Sequence, residues 1–170
     1  TAVNDAPVVT ATGTALATTE NAAATAIDTG LAVSDADNTT LTGATVGISV
    51  NYANGQDVLA FVNAFGITGS WDAATGVLTL SGTATVTDYR AALRSVTYRN
   101  TSDDPSTATR TVSFTVTDGA LSSVAATRDI AVTAVNDVPV VTTTGTALGY
   151  TENAAATAID AGLTVSDADN

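Results

Sequence analysis

The sequence repeats itself at long range. Residues 1–38, TAVNDAPVVTATGTALATTENAAATAIDTGLAVSDADN, return as residues 133–170, TAVNDVPVVTTTGTALGYTENAAATAIDAGLTVSDADN, with 32 of 38 positions identical. The offset is 133 − 1 = 132, so the 170 residues read as one period plus the first 38 residues of the next, a window on a tandem array. Solenoid repeats run to roughly 20–50 residues, so a period this long predicts a globular domain with its own core in each copy. The expected organisation is a complete repeat over 1–132, with a linker at 1–7, followed by a linker and the amino-terminal portion of the next repeat over 133–170.

Within one period the pattern is that of strands. The chain is rich in Thr, Ala and Val, which suits strands with one apolar and one hydroxyl-bearing face. Alternation over 42–50 is followed by Asn54-Gly55, a hairpin signal, and then by 58–62. Further hairpins are expected from 67–71 and 77–80 about the turn 72–76, and from 110–117 and 121–134 about Asp118-Gly119. One short helix is predicted over 87–94, capped by Thr87, with Asp88 near its positive end, as a crossover between sheets. Seven to nine strands at this spacing fit an all-β, Greek-key, immunoglobulin-like β-sandwich. The expected core is Val8, Val46, Ile48, Leu59, Phe61, Trp71, Leu78, Leu80, Leu93, Val96, Phe114, Val116 and Ile130.

Composition removes several functional classes. There is no His and no Cys, hence no imidazole or thiolate metal site, no Ser-His-Asp or Cys-His catalysis and no disulfide. All five basic residues are Arg, so Lys-Asn isopeptide crosslinks cannot form. Seventeen acids against those five bases give a net charge of −12, which disfavours nucleic acid and makes a hard cation the natural counter-charge. No run of apolar residues is long enough for a membrane-spanning helix, and the chain reads as starting in mid-pattern, as at a fragment boundary, so export is argued from other features. Paired carboxylates alone do not indicate a glycosidase, because no aromatic-lined cleft is evident. The expectation is a protein that is not an enzyme.

The acids gather at four places: Asn4-Asp5, Glu20-Asn21, Asp35-Ala36-Asp37-Asn38 and Asp103-Asp104. The first three recur as Asn136-Asp137, Glu152-Asn153 and Asp167-Ala168-Asp169. Calcium takes about six to eight oxygen ligands, so convergent loops are the expected solution, and the i, i+2 carboxylates of Asp35 and Asp37 can face one ion where the backbone turns. An EF-hand is excluded, since Thr40 and Val46 stand where its Gly and bidentate Glu belong. Each motif taken alone also reads as an ordinary loop, Asp and Asn being common turn formers, and Asp118-Gly119 reads mainly as a hairpin turn.

With a loop at Glu20-Asn21, a DxD motif at Asp35–Asp37 and an NDxP linker at Asn4–Pro7, the chain resembles cadherin-like repeats, and its full period resembles the tandem repeats of giant bacterial surface adhesins and RTX-type secreted proteins. The resemblance implies Ca2+ at the junction between successive domains. It implies one shared site from Glu20, Asn136, Asp137, Asp167 and Asp169, and incomplete junctions at Asn4, Asp5, Asp35 and Asp37 and at Glu152. The linker Ala134-Val135-Asn136-Asp137-Val138 has one carboxylate fewer than the family's DxNDN, and no DRE-type motif is present, a place that Asp103 and Asp104 are expected to fill. The implied function is a structural extender of an extracellular adhesin or surface fibre at the bacterial cell surface, its partners being adjacent repeats of the same chain and other copies in a fibre. The alternative is a self-assembling filament subunit in which residues 133–170 complete a neighbouring sandwich by strand addition. Neither nucleic acid nor membrane insertion is expected.

Overall fold

A computed structural model describes residues 3–169. The chain divides into two compact units, the first ending at Ala134 and the second beginning at Val135.

The first unit runs β1 (Val8–Thr10), β2 (Leu16–Thr19), β3 (Thr25–Ala26), β4 (Ala32–Ser34), β5 (Thr40–Val50), β6 (Asp57–Ala60), β7 (Thr68–Asp72), β8 (Val77–Thr85), α1 (Val86–Ser95), β9 (Thr97–Asn100), β10 (Arg110–Thr117) and β11 (Ala126–Thr133). A six-stranded sheet has the order β2-β11-β10-β5-β8-β7, a three-stranded sheet the order β3-β9-β6, and β1 pairs with β4. All pairings are antiparallel except β11 with β2, which run parallel. The unit is all-β apart from α1. Its eleven strands exceed the seven to nine expected, because pieces of two and three residues count among them.

Alternation explains the layering. In β10, Val112, Phe114 and Val116 are buried while Thr111, Ser113, Thr115 and Thr117 are only partly so, the pattern that a half-buried strand of period two produces. The buried cluster draws Val46, Leu78, Phe114 and Ile130 from the large sheet and Leu59 and Tyr98 from the small one, as in a sandwich. Most of the expected core is there, with Phe61 and Trp71 packed at its margin. Val8 is a correction. It is 55% exposed and its neighbour Val9 is 8% exposed, since the register Val9↔Val33 turns the odd-numbered residues of β1 inward.

Two further expectations are corrected. Asn54-Gly55 does not make a hairpin, because β5 pairs with β10 and β8 while β6 pairs with β9 in the other sheet. The cause is Asp57: its carboxylate accepts from Ala53 N at 2.8 Å, closing the turn, and from Tyr98 and Asn100 of β9, drawing β6 to that sheet. The helix cap is Thr85 rather than Thr87. Its hydroxyl accepts from Asp88 N at 3.1 Å and donates to Asp88 Oδ2 at 2.7 Å, so cap and first turn fix each other. Helix α1 joins β8 of one sheet to β9 of the other, as expected of a crossover, and buries Tyr89, Ala92 and Leu93.

The second unit contains β12 (Val140–Thr142) and β13 (Thr164–Ser166), paired Val140↔Ser166 to Thr142↔Thr164. This is the β1–β4 register, Val8↔Ser34 to Thr10↔Ala32, shifted by 132.

Candidate metal centre

Five side chains and the Asp5 backbone are linked by hydrogen bonds where the chain enters the first unit. The Asp35 Oδ1 accepts from the backbone of Asp37 (3.2 Å) and Asn38 (2.9 Å), a turn that brings the DxD carboxylates out of an extended alternation. Asp37 Oδ2 accepts from Asp5 N at 3.1 Å, which ties the linker to this loop. The Asn38 amide donates to Asn4 Oδ1 (2.7 Å), and that of Asn4 donates to Asp118 Oδ2 (2.8 Å). Asp118 follows β10, and its other oxygen accepts from Ala120 N (2.6 Å) and Leu121 N (2.7 Å). The Asn4 amide first, and these backbone donors after it, hold the Asp118 carboxyl below the usual value of 3.8.

The donor set suits a hard cation. Each of the five side chains ends in a carboxylate or an amide, and three of them are acids: Asp35, Asp37 and Asp118. Among the described residues, the ion pairs of the first unit are Arg110–Asp57 and Arg128–Asp28, and neither reaches this cluster. Asp35 Oδ2 is buried with no hydrogen-bond partner among the described residues. A buried carboxylate oxygen without a donor is costly, and a metal ion would satisfy it.

A second acidic group lies where the chain leaves the unit. Glu20 follows β2, and its N–H donates to Thr133 O at 3.0 Å, beside the end of β11. Asn21, at φ 53°, donates from its backbone to Asn100 O (3.1 Å) and from its amide to Asp103 Oδ1 (2.8 Å). Asp103 therefore joins the Glu20-Asn21 loop. Asp104 is exposed, and its N–H donates to Ser102 Oγ at 3.2 Å. The loop carrying Asp103 precedes β10 and Asp118 follows it, so the two groups sit at opposite ends of an eight-residue strand, roughly 25 Å apart by strand rise.

The second unit repeats the entry geometry locally. The Asp137 N–H donates to Asp169 Oδ2, the Asn136 amide to Asp137 O (2.7 Å), and Asp169 N to Asp167 Oδ1 (3.2 Å). Glu152 precedes Asn153, whose φ of 60° matches that of Asn21. Of the five residues expected to share a site, Glu20 belongs to the first unit and Asn136, Asp137, Asp167 and Asp169 belong to the second.

Sequence reasoning missed Asn38 and Asp118 as members of the entry cluster. Asp118 reads as a turn residue because Asp-Gly is a hairpin signal, and nothing in the local sequence places it beside Asn4. The same residue serves both ends, since one oxygen closes the turn and the other faces the cluster. Comparison with protein-family models, curated proteins and solved structures found no match. No helix among the described residues is long and apolar enough to cross a membrane.

Proposed function

We propose that this chain is a structural extender: a cadherin-like, Greek-key sandwich repeat of an extracellular adhesin or surface fibre, with Ca2+ bound where successive repeats meet. The observation that carries the reading is the gathering of oxygen ligands at the entry and exit of one domain, at opposite ends of β10. On this reading the calcium of each junction draws its ligands from the exit loop of one repeat and the entry loops of the next. One period carries 12 acids and 5 Arg, net −7, so without a cation the gathered carboxylates repel and the linker flexes. Calcium replaces that repulsion by shared coordination. Extracellular modules bind calcium at roughly 0.1–1 mM, so such a chain stiffens outside the cell and stays loose at cytosolic calcium levels.

Small-angle scattering from a polypeptide of three tandem repeats, with calcium and with a chelator, tests this. The expected result is a longer maximum dimension with calcium, and an unchanged length removes the mechanism.

A further inference from the structure

The core of the first unit holds an ion pair that neither end group includes. Asp57 and Arg110, 1% and 0% exposed, meet at 3.2 Å. Asp57 Oδ1 also accepts from the Tyr98 hydroxyl (2.6 Å) and the Asn100 amide (2.8 Å), so four donors, counting Ala53 N and Arg110 Nε, converge on one carboxylate. A buried ion pair rarely stabilises more than apolar residues of the same volume, so the arrangement is better explained by what it orients.

What it orients is the loop 101–109. Asn100 immediately precedes this loop and Arg110 immediately follows it, and both bind Asp57. Asn100 Oδ1 accepts from Ser102 N (2.9 Å) and its backbone oxygen from Asn21 N (3.1 Å), while Arg110 Nη1 donates to Ser106 O and Ala108 O. The chain of bonds ends at the Asn21–Asp103 contact beside Glu20.

We propose that Asp57 is a positioning residue for calcium at the exit end: by fixing both flanks of the loop 101–109 it presets Asp103 and Asn21 for the ion. The inference rests on the calcium reading above. A ligand loop ordered before binding loses less entropy on binding, and groups that orient metal ligands typically set affinity by about 10- to 100-fold.

The test is a calcium titration of the full chain by 15N NMR, reading the midpoint at the Asn21 and Asp103 amides and, in the same sample, at those of Asp37 and Asn38. In Asp57→Asn the midpoint at Asn21 and Asp103 rises by about tenfold or more while that at Asp37 and Asn38 is unchanged. Asp28→Asn, which breaks the other buried pair, moves neither. Asn100→Ala leaves the Asp57–Arg110 pair intact, gives the same selective shift and serves where Asp57→Asn does not fold. Unchanged midpoints, or equal shifts at both ends, overturn the positioning role and leave the calcium reading standing. No calcium-dependent change at Asn21 and Asp103 in the unaltered chain overturns both.

Discussion

The side chains of Asn4 and Asp118, 114 residues apart in sequence, meet through a 2.8 Å hydrogen bond. That contact turns a hairpin residue into part of the entry cluster and makes Asp118 a candidate calcium ligand. Replacing Asp118 by Ala removes one of three carboxylates and is expected to weaken calcium binding at this end by about 10- to 100-fold, as read by calorimetry. Unchanged binding would remove Asp118 from the site.

Acid titration offers a metal-free test of the same contact. The Asp118 pKa lies below 3.8, chiefly because of the Asn4 amide, so its contribution to stability is complete above that value and is lost as pH falls through the lowered one. In Asn4→Ala the pKa is expected to move back up towards 3.8, followed by carboxyl 13C NMR. A pKa that stays put would assign the effect to Ala120 and Leu121.

A second long-range pair governs stability. Asp28, fully buried, lies 2.7 Å from Arg128 and accepts from Thr12 N (2.7 Å) and Gly30 N (3.0 Å). Arg128→Ala leaves a buried carboxylate without its cation and is expected to cost about 3–5 kcal/mol in denaturant unfolding. A loss below about 1 kcal/mol would show that the backbone donors suffice.

Alkaline unfolding reports on Tyr98. Burial, and then donation of its hydroxyl to Asp57, raise its pKa well above the usual 10.0. The neutral phenol favours the folded state, so its contribution is complete below pH 10 and declines as pH rises further, by about 1.4 kcal/mol per pH unit. Tyr98→Phe should therefore be less stable at pH 7 yet lose stability less steeply above pH 10. Equal slopes from chemical denaturation at a series of pH values would refute the assignment.

What was legible in the sequence was local. The short helix near Asp88, the strand over 110–117, the turn between β7 and β8, and the acidic loops at Asp35–Asp37 and Glu20-Asn21 each follow from neighbours within a few residues. What was not legible needed a partner from far away. Asn54-Gly55 signals a hairpin, but Asp57 finds its donors in β9. Asp118 reads as a turn until Asn4 is beside it.

The two copies of the repeated segment separate these contributions. In both, the Asp of Ala-Ile-Asp accepts from a Thr backbone and hydroxyl and from a Gly two residues on: Asp28 with Thr12 and Gly30, Asp160 with Thr144 and Gly162. Both form the same three-residue ladder. Sequence alone decided these bonds, since all their donors and acceptors lie inside the repeated stretch. Burial was decided elsewhere: Ile27 is 0% exposed within a cluster that draws on strands far along the first unit, and its counterpart Ile159 in the second unit is 84% exposed. Hydrogen bonds whose donors and acceptors lie within the repeated segment recur in both copies, whereas removal of apolar surface from water requires the rest of the fold.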